Sequence, residues 1–204
     1  VSALLAQVIV LAGPSGSGKS RLAERLGLPV LRLDDFYKDG DDPTLPRITE
    51  GPNAGIVDWD HPDSWLPADA LATMRELCET GRAEVPIYEI ARNGRTGWRP
   101  VDLGGAPLFV AEGIFAPDVV EPARVAGLLG AAYCIRRSTA RTFWLRLTRD
   151  LRERRKPPLV LVRRGLALAR AQRGVVADAV AKGCEPVSPT EALAQVAALR
   201  PDRV

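Results

Sequence analysis

Histidine, methionine, lysine and cysteine are scarce in this chain of 204 residues, and each scarcity excludes something. A single histidine, His61, leaves no basis for a multi-histidine metal centre. The three cysteines, Cys78, Cys134 and Cys184, stand far apart with no CxxC pair, which excludes a disulfide framework and a thiolate site of ordinary spacing. No apolar run approaches the ~18 residues of a membrane span, and nothing resembles a signal peptide. The expectation is a soluble, cytoplasmic protein with no membrane partner. What is present suits a packed core: 46% of residues are hydrophobic and 26% charged, outside the range of disordered or fibrous chains. The length favours a single domain over 1–204.

Lysine is scarce because arginine replaces it, and the arginines are not spread evenly. The net charge of +3 conceals a segment, residues 136–173, with twelve arginines and Lys156 against only Asp150 and Glu153, a local balance of +11. The other residues sum to −8. Such asymmetry suggests a polyanionic partner for the basic segment, whether nucleic acid, an acidic surface or a phosphorylated small molecule.

Short apolar and β-branched runs alternate with helical stretches. Gln7–Gly13 and Leu108–Gly113 read as strands of the buried parallel type, and Pro29–Phe36, Glu84–Ile90 and Ala132–Arg136 as further strands. Helices are expected over Lys19–Leu26 (stopped by Gly27), Pro67–Thr80 (closed by Gly81), Asp118–Leu129, Ser138 to the Pro157-Pro158 break, Val160–Ala181 and Glu191–Leu199. Ser188-Pro-Thr-Glu191 fits a capping box. Residues 39–63 are rich in Asp, Pro and Gly and read as an irregular functional loop. The alternation implies a three-layer α/β domain with a mostly parallel sheet.

Gly13-Pro14-Ser15-Gly16-Ser17-Gly18-Lys19-Ser20 matches G-x-x-x-x-G-K-[ST] at every defined position, with an apolar strand before it and a helix after it. In such a loop the glycines let backbone N–H groups turn inward onto phosphate oxygens, and the helix adds its positive end. Lys19 is then expected on the β- and γ-phosphates of a nucleoside triphosphate, and the Ser20 hydroxyl on Mg²⁺. An N-K-x-D box for guanine is lacking, which counts against a GTPase. Asp34 and Asp35 lie where the second strand ends. Ligands of an open parallel sheet sit beyond its strand ends, so a carboxylate there is placed to accept a proton from a substrate hydroxyl. The competing reading is that both acids merely cap a loop.

Five further segments follow in order: Asp34-Asp-Phe-Tyr-Lys38, Val57-Asp-Trp-Asp-His-Pro-Asp63, Val85-Pro-Ile-Tyr88, Ala111-Glu-Gly-Ile114 and Arg149-Asp-Leu-Arg-Glu-Arg154. Together, over roughly residues 8–156, they resemble the uridine kinases of the P-loop kinase superfamily, relatives of phosphoribulokinase and bacterial pantothenate kinase. The resemblance implies a P-loop NTPase fold, ATP and Mg²⁺ as cofactors, and phosphoryl transfer to a hydroxyl of a small molecule. A nucleoside 5′-hydroxyl such as that of uridine or cytidine is the leading acceptor, in nucleoside salvage. It casts Asp34 as general base, Glu112 as the acidic partner of Ser20 at Mg²⁺, and Asp60 as acceptor of ribose hydroxyls. Tyr37, Trp59 and Tyr88 then line the acceptor pocket. Arg149 and Arg154 are cast as catalytic arginines of a lid over about 146–158.

One departure bears on the acceptor. Where uridine kinases follow Val-Pro-Ile-Tyr with a histidine that reads the pyrimidine, this chain runs Glu89-Ile-Ala-Arg-Asn-Gly-Arg95, with Asn93 at about that position and Arg95 retained. Residues 44–57 also differ, which leaves another hydroxyl acceptor open. His61, before a proline, is expected as a loop residue with a satisfied hydrogen bond, Trp65 and Trp98 as packing, and the cysteines as inert thiols. A nucleic-acid-binding ATPase is the remaining alternative. It is disfavoured because only Phe143 and Trp144 interleave the basic segment with aromatic rings. Homo-oligomerisation stays open.

Overall fold

Strand β1 (Gln7–Ala12) is buried from its second residue onward on both faces. That is why it reads as a continuous apolar run rather than an alternating one. Its odd and even residues serve different cores. Val8, Val10 and Ala12 pack on one side of the sheet, and Ile9 and Leu11 on the other. The computed structural model describes residues 4–14, 17–51, 53–136 and 173–200. Around β1 stand β2 (Val30–Arg32), β5 (Leu108–Glu112), β6 (Leu129–Ile135) and β7 (Glu185–Val187), in the order β2-β5-β1-β6-β7. Every pairing in this sheet is parallel.

One face is covered by α1 (Lys19–Leu26) and the C-terminal helix α5 (Pro189–Leu199), whose Leu22, Leu26, Ala192 and Val196 meet Ile9, Leu11 and Val110. The other face receives α2 (Pro67–Thr80), the short α3 (Val120–Val125) and the helical residues 173–181 (α4), through Met74, Leu77, Ala123 and Ala179. Helices on both sides of a parallel sheet make the three-layer α/β architecture expected. Apart from the main sheet, β3 (Arg82–Glu89) and β4 (Gly94–Asp102) form an antiparallel hairpin.

The punctuation residues act as their chemistry dictates. Pro67 opens α2 and Gly81 closes it in the left-handed conformation. Ser188 and Glu191 complete the capping box in both directions. Several boundaries differ from expectation. The second strand stops at Arg32, and Leu33–Phe36 coil into a single 3₁₀ turn that carries both aspartates. The region after β5 is a 3₁₀ turn (Ala116–Val119) followed by only six residues of α-helix. The last central strand begins at Leu129 rather than Ala132. Of the expected helix over Val160–Ala181, residues 173–181 are helical, and the remainder lies outside the described residues, as does the helix from Ser138.

Candidate active site

Parallel strands carry their C-terminal ends to one edge, so whatever follows β1, β2 and β5 is gathered there. The register makes this specific: Glu112, the last residue of β5, stands opposite Leu11 on one side and Arg32 on the other. The strand end before the phosphate loop, the acidic turn and this carboxylate are therefore neighbours. Gly13 leaves β1 at φ 138, and a Cβ there would lie 2.7 Å from the Ile135 carbonyl, so glycine alone lets the loop pass β6 this closely. Ser17 N–H donates to the Pro14 carbonyl at 3.0 Å, and Lys19 Nζ donates to the Gly13 carbonyl at 2.7 Å. Burial holds the Lys19 amine below the usual lysine range, while Glu112 and Asp34 pull the other way. Ser15 and Gly16 lie outside the described residues.

The Ser20 hydroxyl donates to Glu112 Oε1 at 3.1 Å. Asp34 Oδ1 accepts the Ile114 N–H at 3.0 Å, which fixes one carboxylate oxygen to the segment after β5. Gly113 makes that approach possible. A Cβ on it would stand 2.7 Å from Asp34 Oδ1 and 2.9 Å from Leu33 Cβ. Gly113→Ala is therefore expected to displace the acidic turn, at a cost of about 1–3 kcal/mol, the usual range for overpacking. An unchanged denaturant midpoint would contradict that contact. Neither Gly113 nor Ile114 was singled out by role in the sequence, although both stand in the motif that carries Glu112.

These groups line a cleft of about 1460 Å³ that also takes in Tyr37, Asp60, Tyr88 and Phe115. Tyr37 packs edge-on against Trp59 and tilted against Tyr88, with ring centroids 5.7 Å away in each case. Burial first, then Asp34 and Asp60, raise the Tyr37 phenol far above its usual range. It is thus a protonated hydrogen-bond donor at any physiological pH. Trp59 backs the two tyrosines rather than lining the cleft.

Asn93 and Arg95 are placed differently from the expectation of acceptor contact. Neither lines the cleft. Asn93 sits at φ 49 at the hairpin turn, where its carbonyl accepts the Gly40 N–H at 2.6 Å. Arg95 Nη2 lies 3.7 Å from Asp69. The reason is local: a turn at the hairpin tip needs a left-handed residue, and asparagine tolerates that conformation.

His61 behaves as expected, its Nδ1 accepting the Asp63 N–H at 3.1 Å. Trp65 is packing, donating to the Leu33 carbonyl at 2.8 Å and stacked on Phe115. Trp98, by contrast, is 60% exposed on β4. All three cysteines are buried, and burial lifts Cys78 to about 11 and Cys184 to about 12, with Cys134 also raised. Little reactive thiolate exists at neutral pH. Arg149 and Arg154, with the expected lid over 146–158, lie outside the described residues. No described helix is long and apolar enough to cross a membrane.

Comparison with known proteins agrees with this geometry. Residues 8–157 match the model of the phosphoribulokinase / uridine kinase family. The chain belongs to that family. It is similar to the uridine kinase of Lactobacillus johnsonii, with 23% identity over 155 residues, 72% of this chain and 69% of that protein. It is also similar to the inorganic pyrophosphatase TTM2 of Arabidopsis thaliana, with 29% identity over 116 residues, 53% of this chain but only 15% of that much longer protein. Among solved structures, a candidate fructose transport system kinase of Silicibacter sp. TM1040 superposes with a TM-score of 0.51 at 20% identity, covering 83% of this chain and 85% of its own. That likeness is one of fold.

Proposed function

We propose that this family member transfers the γ-phosphoryl group of ATP to a hydroxyl of a small molecule, with the 5′-hydroxyl of a nucleoside as the leading acceptor. One observation carries the reading. The Asp34 carboxylate, held by the Ile114 N–H, opens onto the same cleft as Lys19, Ser20 and Glu112, with Tyr37, Asp60 and Tyr88 on the adjoining wall.

The chemistry follows from these positions. Phosphoryl transfer needs little covalent help from the protein, and depends on placement and charge. Lys19 neutralises the β- and γ-phosphates, and its partial desolvation makes that interaction stronger than in water. Ser20 and Glu112 offer a hydroxyl and a carboxylate, hard oxygen donors of the kind Mg²⁺ accepts when phosphates and water complete its shell. Bound there, Mg²⁺ would neutralise charge on the transferring group. Asp34 takes the proton of the acceptor hydroxyl, its second oxygen being free of the Ile114 tie. Asp60 accepts from neighbouring hydroxyls, and Tyr37 donates. Arg149 and Arg154 are proposed as lid cations over the phosphates, on their motif match alone.

The position of Asn93 favours a second reading within the same chemistry. The residue standing where uridine kinases place a pyrimidine-reading histidine is occupied in a turn and lies off the cleft wall. A hydroxyl acceptor other than a pyrimidine nucleoside then fits as well. A panel with ATP·Mg²⁺ and uridine, cytidine, other nucleosides and pantothenate decides between them, read by ADP release and by the mass of the product. Phosphorylation of uridine or cytidine at the 5′ position is the expected result. Phosphorylation of another member only would select the second reading, and ADP release that no acceptor accelerates would refute both.

A further inference from the structure

Asp35 has no part in the chemistry above, yet it is a buried carboxylate in the wall of the cleft. Its side chain is 8% exposed. Among the described residues its only hydrogen-bond or ion-pair partner is Arg99, with Nη2 3.4 Å from Oδ2. A carboxylate this buried requires a compensating cation or donors, because desolvation penalises its charge. Arg99 supplies that cation from another part of the fold, 64 residues away in sequence.

The two ends of this pair belong to the two walls that must meet around an acceptor. Asp35 shares its 3₁₀ turn with Asp34. Arg99 lies on β4 opposite Val85 of β3, and β3 continues to Tyr88 on the cleft wall. The hairpin is not part of the main sheet, so sheet hydrogen bonds do not set its distance from Asp34. Two polar contacts farther along join the same partners. Asp39 Oδ1 accepts the Arg95 N–H at 2.7 Å, and Gly40 N–H donates to the Asn93 carbonyl.

We propose that Arg99 is a positioning residue, fixing the Asp34 turn against the β3–β4 hairpin through Asp35 so that base and acceptor wall address the same hydroxyl. The inference rests on the reading of Asp34 as the base. Asp35 is committed to Arg99 and does not serve as a second base.

The test compares Arg99→Ala and Arg99→Lys with the parent. Arg99→Ala is expected to lower kcat roughly ten- to hundredfold, as small misplacements of a reacting group do, with KM for ATP changed by less than about twofold. The lysine variant should recover much of that loss. Guanidinium ion at low millimolar concentration should partly restore Arg99→Ala and leave the parent unaffected, which general damage to the fold does not predict. An Arg99→Ala enzyme with parental kcat would overturn the proposal. So would a loss that neither lysine nor guanidinium recovers. Backbone hydrogen exchange over residues 33–37 gives a readout that needs no chemistry: it should quicken in Arg99→Ala, and unchanged exchange overturns the coupling. If the parent phosphorylates no acceptor, the Asp34 reading fails, and the exchange result still decides whether Arg99 holds the turn.

Discussion

Asp34→Asn is expected to bind ATP as tightly as the parent, or slightly more tightly, and to transfer its phosphoryl group roughly 10²–10⁴-fold more slowly. The substitution is close to a pure chemical probe because asparagine keeps an oxygen at Oδ1. That oxygen can still accept the Ile114 N–H, so the turn stays anchored. What disappears is the basic site proposed to take the hydroxyl proton. The loss corresponds to about 3–5 kcal/mol of barrier. The direction of the affinity change follows from charge. Asp34 lies near enough to Lys19 to raise its pKa, and would so also face the phosphates that Lys19 is proposed to neutralise. Removing a carboxylate from beside a polyanion relieves repulsion. Single-turnover transfer and equilibrium ATP binding, measured on the same variant, separate the two effects. Transfer at near-parental rate would remove Asp34 from the role of base, and a large fall in ATP affinity would show that it acts on the donor instead.

The elements legible in the sequence were those whose signals are local. Helix α2 is bracketed by Pro67 and Gly81, α5 by its capping box, and β1 and β5 are uninterrupted apolar runs. Strand β4 was not legible. Gly94-Arg-Thr-Gly-Trp-Arg-Pro-Val-Asp102 contains two glycines and a proline, shows no apolar alternation, and is a strand only because β3 pairs with it. Strand β7, Glu-Pro-Val, is too short to carry a pattern and is set by its pairing with β6.

The same division runs through the site. The phosphate loop, the acids at the strand end and Glu112 announce themselves by motif. The Asp35–Arg99 pair and the need for glycine at 113 do not, because each is a contact between segments distant in sequence. Position at the strand end left Asp34 and Asp35 equivalent, and only the family resemblance chose Asp34 as the base. Backbone direction in the 3₁₀ turn separates them, sending one to Ile114 N–H and the other to Arg99.

Lys19→Met is expected to remove most of the stabilisation that ATP confers while leaving the ligand-free protein no less stable than the parent. Desolvation dominates the environment of Lys19 and holds its pKa down, so the folded state binds the lysine proton less well than the unfolded chain does. By linkage, stability then rises with pH between the lowered folded value and the ordinary lysine value of 10.5, and the charged amine is a cost below that window. A methionine of similar length escapes the cost, although it gives up the hydrogen bonds to the Gly13 and Pro14 carbonyls. On the proposed reading, ATP phosphates would take the place of those two bonds and offset the desolvation of the amine. At ATP one hundred times its dissociation constant, the parent should gain about 2.7 kcal/mol against unfolding. If the substitution weakens binding about a hundredfold, the gain at the same concentration falls to about 0.4 kcal/mol. Thermal melts with and without ATP·Mg²⁺ read both quantities. A variant that melts lower without ligand would show that Lys19 serves the fold, and one that keeps the full ATP-induced rise would show that the loop does not use its lysine on the phosphates.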